Sequence, residues 1–167
     1  MQGTSDVLEH VSTVRRYTQD LLSHIEPELW FRQPTEGVTH VAWQVGHLAV
    51  AQYGLALKRV CGEQPADALL IPAEFRQAFG KGSIPQSDPA QNRSIDEIRS
   101  VLDSVHEQVL AELPALPDSV FDEPSDTPPH PMFKSKQGAV IWSVQHEFIH
   151  IGQIALLRRL LGKEWLR

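Results

Sequence analysis

The chain has 167 residues, of which 41% are hydrophobic and 22% charged, ordinary globular usage that excludes wholesale disorder. Fifteen Lys and Arg stand against 21 Asp and Glu, a formal net charge of −6 that argues against the basic stripe a nucleic-acid binder needs. The single cysteine, Cys61, cannot close an internal disulfide, the segment from Met1 to Asp6 lacks the pattern of a signal peptide, and no apolar run is free of charges long enough to span a bilayer. The expectation is one soluble, cytoplasmic domain over residues 1–167.

Prolines divide the chain. Half of the 12 fall at Pro114, Pro117, Pro124, Pro128, Pro129 and Pro131, and the others at Pro27, Pro34, Pro65, Pro72, Pro85 and Pro89. Because proline removes a backbone donor and clashes with the preceding turn, long helices must lie in the proline-free stretches 1–26, 35–64, 90–113 and 132–167. In the first stretch Val7, Val11, Val14, Leu21, Leu22 and Ile25 recur at helical steps, with Thr4 or Ser5 as the cap. The second, roughly His40 to Cys61, is apolar on most sides and stops at Gly62. Its link to the third is long, with a short helix expected near Ala73–Phe79. In the third stretch Ser94 and Glu97 read as a capping box opening a face of Ile95, Ile98, Leu102, Val105, Val109 and Leu113. After the proline-rich link, the fourth stretch, roughly Gln137 to Leu161, looks the most buried, with Arg158 and Arg159 suited to its C-terminal dipole and Gly162 to its stop. No alternating pattern competes. The prediction is all-α, a four-helix bundle with long connections between helices two and three and between three and four.

Of the eight histidines, His10, His24 and His106 sit among polar residues and read as surface groups, while His40 and His130 could edge a pocket. His146 and His150 differ. Four residues apart on a helix, they project about 40° from one another with Cβ atoms roughly 5–6 Å apart, close enough to share a metal. Two unpaired imidazoles among Val144, Phe148, Ile149 and Ile151 would lose water contacts without gaining a partner. His47, in a helix with no acidic residue, is the candidate third ligand, with Trp43 one turn before it and Gly46 allowing close packing. Three neutral imidazoles leave one tetrahedral position open, as in catalytic sites, and suit zinc, nickel or copper. Glu147 is a candidate base or orienting group, and Trp43 and Gln153 are candidate pocket or outer-shell residues; Trp142 could also line the pocket.

Two look-alikes overlap this segment. His146-Glu147-Phe148-Ile149-His150 satisfies H-E-x-x-H, in which Glu147 would be the base of a metallopeptidase, but the sole acidic residue downstream, Glu164, sits past Gly162 at the helix end. Glu147-x-x-His150 matches the E-x-x-H of di-iron bundles, yet the second helix supplies no glutamate.

With Val41-Ala42-Trp43-Gln44-Val45-Gly46-His47-Leu48 in helix two, His146-Glu147-Phe148-Ile149-His150-Ile151-Gly152-Gln153-Ile154 in helix four and Leu157 to Gly162 after it, the sequence resembles the DinB-like (DinB/YfiT) superfamily of metal-dependent enzymes. The resemblance implies a four-helix bundle with a divalent metal on His47, His146 and His150, a dimer, and no DNA binding. It also implies, for some relatives, transfer or isomerisation reactions that use low-molecular-weight thiols. The functional expectation is a metalloenzyme, a thiol-dependent S-transferase or hydrolase acting on a small molecule with zinc or nickel and a low-molecular-weight thiol. A non-enzymatic, metal-stabilised dimeric bundle is the alternative, and a metallopeptidase a further one. Neither nucleic acid nor membrane is expected as a partner.

Overall fold

The computed structural model describes residues 4–125 and 128–166, and among them every regular element is helical. Helix α1 (Thr4–Ser23) buries Val7, Val11, Val14, Leu21 and Leu22, the apolar face read from the sequence. Thr4 and Ser5 already lie within it, so its cap falls outside the described residues. A 3-10 turn at Pro27–Leu29 carries the chain on and places Leu29, Trp30 and Phe31 in the core.

Helix α2 (Val41–Gln52) begins with an unusual cap, because His40 Nδ1 accepts a hydrogen bond from the Trp43 backbone N–H at 3.1 Å. The other ring nitrogen of His40 donates to the Gln86 carbonyl at 2.8 Å, tying the long connection back to the helix start. The helical path continues through a π-helical segment (Tyr53–Lys58) and a last turn (Arg59–Cys61) to Gly62, whose φ of 82° ends it. The connection holds two short helices, α3 (Asp67–Leu70) and α4 (Ala73–Phe79). Gly46 is the contact between α4 and α2: a Cβ there would lie 2.4 Å from the Phe79 ring.

Helix α5 (Ile95–Glu112) is capped by Ser94 Oγ, which accepts from the Glu97 N–H at 3.1 Å. Only half of the expected capping box forms, since the Glu97 carboxylate pairs with Arg93 instead of reaching back to the cap. The proline-rich connection contains α6 (Asp118–Asp122), which buries Phe121. Ser135 caps α7 (Lys136–Leu160), and Gly162, with φ 88°, follows its end.

Helix α2 packs on both α5 and α7, and α1 packs on α7. The apolarity of α2 follows from this central position, with Val41, Ala42, Val45, Leu48 and Ala49 all buried. Helix α7 is less enclosed than its composition suggests. Val140, Ile151, Ile154 and Leu157 are buried, but Phe148, Ile149, Leu156 and Leu160 form a half-exposed stripe, with Tyr17 of α1 close by. No described helix is long and apolar enough to cross a membrane.

One polar cluster lies inside the apolar core. Arg15 of α1, 1% exposed, donates through Nε to Glu147 of α7 at 2.9 Å and through Nη1 to the Leu102 carbonyl of α5 at 2.9 Å. Its Nη2 donates to Gln52 of α2 at 2.8 Å and to the second Glu147 oxygen at 3.2 Å. Thr18 adds a 2.6 Å hydrogen bond to Glu147, and the Gln52 amide donates to His106 at 3.2 Å. All four long helices therefore meet on one guanidinium.

Removing one partner of a buried pair leaves the other charged and desolvated, so Arg15→Met is expected to destabilise the fold by about 3–5 kcal/mol. Arg15→Met/Glu147→Leu should recover most of that loss. Chemical denaturation checks both, and a cost below about 1 kcal/mol for the single variant would show that the pair is not desolvated.

Candidate metal centre

His47 comes from the middle of α2, and His146 and His150 from one face of α7. The structure brings the three together, with one ligand nitrogen from each within 4.8 Å of the others. The ring centroids of His47 lie 5.3 Å from His146 and 4.9 Å from His150. Nε2 of His146 and Nε2 of His150 are 3.3 Å apart. Two nitrogens bound tetrahedrally to one zinc-sized ion would be about 3.4 Å apart, so this spacing needs almost no adjustment.

Neighbouring groups set which nitrogen each ring offers. His47 Nδ1 donates to the Phe79 carbonyl at 2.8 Å, which leaves Nε2 unprotonated and free to ligate. His150 Nδ1 donates to Gln44 Oε1, with the same consequence. His146 lacks such a support: its Nδ1 is buried with no hydrogen-bond partner among the described residues. A proton on His146 Nε2 serves the contact to His150 but leaves Nδ1 an unpaired buried acceptor; with that proton on Nδ1, the two Nε2 lone pairs face each other and a cation between them satisfies both.

The donor set is electrically neutral near pH 7. Burial pushes the pKa of His150 down to about 3 and that of His146 to about 4, helped by repulsion from the neighbouring rings. Burial also lowers the pKa of His47, against the opposing effect of the Phe79 carbonyl. Uncharged imidazoles are the form that binds metal, so protons compete with an ion only in acid.

The other expected site residues fall differently. Trp43 stacks on His47, centroids 4.8 Å apart and planes within 6°, and its Nε1–H donates to Ser83 Oγ at 2.9 Å. Trp142 lines a cleft of about 670 Å³ that His47 and His146 border, together with His130, Arg59 and Lys81. Glu147 points away from the imidazoles into the core, where Arg15 and Thr18 occupy both of its oxygens. That placement removes it from the role of base and with it the physical content of the H-E-x-x-H match. Gln153 is exposed and does not line the cleft. His10 and His24 are exposed as expected, but His106 is half-buried against Gln52, and burial holds its pKa at about 4. Sequence reasoning passed over Gln44 and the Phe79 carbonyl. Gln44 gave a signal, a polar side chain three residues before His47 in an otherwise apolar helix; a backbone carbonyl gives none.

Comparison with known proteins gives a family and a fold. The family model of the DinB superfamily matches residues 10–154. The chain is similar to a conserved protein from Enterococcus faecalis whose crystal structure it matches with a TM-score of 0.64 and 16% identity, over 98% of this chain and 99% of that one. No curated protein matches it.

His47→Ala, His146→Ala and His150→Ala are each expected to lower zinc affinity by more than about 100-fold, read by competition with a chelating dye; unchanged affinity in all three would place the metal elsewhere. The chelated protein should also lose stability on mild acidification. An unfolded chain takes up histidine protons near pH 6.5, whereas the folded one resists until about pH 4, so between those limits the unfolded state binds more protons and folding weakens as pH falls. The midpoint of thermal unfolding should drop between about pH 7.5 and about pH 5, less so in His106→Gln; a flat profile would contradict the burial of neutral rings.

Proposed function

The chain belongs to the DinB superfamily, and from this premise we propose that it is a divalent-metal-dependent enzyme built as a four-helix bundle, acting on a small molecule. The observation that carries the reading is the convergence of His47, His146 and His150, two of which, His47 and His146, border an open cleft. A metal that only braced the fold would sit in a closed four-ligand shell, whereas three imidazoles beside a cleft leave room for a reacting group. Zinc or nickel suits the all-nitrogen donor set.

The reaction proposed is transfer to the sulfur of a low-molecular-weight thiol, with hydrolysis as the variant in which water replaces the thiol. In the transfer the S–H bond breaks, a bond forms between sulfur and an electrophilic carbon, and the leaving group departs with its electron pair and takes up the proton. A divalent ion supplies Lewis acidity, which lets a thiol or water lose its proton near neutral pH. The residues of this chain position and shield. The Phe79 carbonyl and Gln44 hold two imidazoles in the ligating tautomer, Trp43 covers the face of His47, and Val50, Ala51, Leu55 and Trp142 give the cleft an apolar wall. A cytoplasmic setting, where such thiols stay reduced, fits this chemistry. The half-exposed stripe of Phe148, Leu156 and Leu160 supports a homodimer.

Zinc- or nickel-loaded protein, screened with mercaptan cofactors and an electrophile such as chlorodinitrobenzene, should form thioether above the uncatalysed rate. Chelation or His146→Ala should abolish the gain. If every thiol reacts only at the uncatalysed rate while chelation still lowers the unfolding midpoint, the non-enzymatic, metal-stabilised bundle replaces the enzyme.

A further inference from the structure

The cleft beside the three imidazoles differs in sign from the rest of the molecule. The chain carries a net charge of −6, yet Lys58, Arg59 and Lys81 line this cleft against a single acid, Glu63. Glu63 is already shared, 2.6 Å from Lys58 and 2.6 Å from Arg76, so it offsets neither Arg59 nor Lys81. Arg59 pairs with no carboxylate among the described residues. Its guanidinium stands 5.1 Å from the centroid of the Phe133 ring, and Nη1 donates to the Ser125 carbonyl at 3.4 Å, so it is held in place with donors to spare. Lys81 also enters no ion pair among the described residues. His130, stacked on Phe133 at 4.3 Å and 5.9 Å from Trp142, is close enough to both cations that they add to the effect of burial in lowering its pKa.

The backbone gives a second, independent pointer. The π-helical segment Tyr53–Lys58 contributes Gly54, Leu55 and Lys58 to the cleft, and Arg59 follows directly. Such segments are rare, strain an otherwise regular helix, and cluster at functional sites. Here the π turn brings a cationic pair to the same cleft that His47 reaches from about three turns earlier in the same rod.

The geometry points to a small organic anion as the substrate of this cleft, its charged end held by Arg59 and Lys81 and its reactive end directed toward the three imidazoles. The inference rests on the reading of those imidazoles as the reactive end. A guanidinium fork with free donors matches a carboxylate or a phosphate monoester, and the lysine adds charge without constraining shape. The apolar wall of Val50, Ala51 and Leu55 suits a carbon frame between the two ends.

Calorimetric titration separates this inference from the metal reading. Chelator-stripped protein should bind succinate and methyl phosphate but not butanediol, and the tighter of the two anions identifies the charged end. Zinc-loaded protein should bind mercaptosuccinate about tenfold more tightly than thioglycerol, and Arg59→Gln or Lys81→Gln should remove most of that ratio while leaving thioglycerol unchanged. Arg59→Lys, which keeps the charge, should retain part of it and guards against loss through misfolding. Anion binding by the stripped protein with no zinc uptake would keep the anion site and overturn the metal reading. Equal affinity for charged and neutral ligands, or a preference that both substitutions leave intact, would overturn the anion site.

Discussion

A single guanidinium sets the mutual alignment of the four long helices. Arg15 lends donors to Glu147 on α7, Gln52 on α2 and the Leu102 carbonyl on α5, all within a core of otherwise apolar side chains. Its donors lie in a rigid plane, so only one combination of helix rotations and axial shifts satisfies them together. Apolar packing alone would tolerate small slips; a buried charge left without its partners would not. The alignment matters beyond stability because Glu147 is the residue after His146, and consecutive helical residues point about 100° apart. Locking Glu147 into the core turns His146 and His150 toward the side where α2 presents His47.

Successive turns of α2 then build the site from one side. His40 caps the helix and holds the Gln86 carbonyl; Trp43 stacks on His47; Gln44 holds His150; Gly46 lets Phe79 approach, and the Phe79 carbonyl holds His47. Phe79 and Gln86, like Ser83, which accepts from the Trp43 indole, belong to the long connection after α2. These contacts account for its length: a short turn could not return to the start of α2 and supply a carbonyl at the level of its middle. Gly46 is the enabling residue, since any side chain there would push α4 outward and carry the Phe79 carbonyl away from the imidazole it orients.

The helices and the triad were legible because their signals are local. Proline positions bounded the four long elements, and an i, i+4 histidine pair in an apolar segment has few physical solutions. What was hidden depends on direction or on distance in sequence. H-E-x-x-H does not state which face its glutamate takes, and only the partner on α1, more than 130 residues away, decides it. His106 looked like a surface group because its neighbours Ser104, Glu107 and Gln108 are polar, while its ring reaches Gln52 on another helix. The outward stripe of α7 was read as core because composition measures apolarity and not the number of neighbours a helix has; among the described residues, that side of α7 stays half-exposed. Arg59, Lys81 and His130 come from three separate segments, so no window of the sequence contains their proximity.

The electrical character of the site follows from these placements. Burial keeps the three imidazoles uncharged, so a divalent ion bound to them would retain its full double charge, unlike one held by carboxylates or thiolates. Glu147, the acid nearest in sequence, is neutralised by Arg15 on the far side of the helix and cannot offset that charge at close range. Arg59 and Lys81 add to it across a cleft whose walls are of low polarizability, where fields are screened less than in open water. An acidic protein has thereby concentrated positive potential at one opening, and the arrangement selects for ligands by charge before any contact with the imidazoles is made.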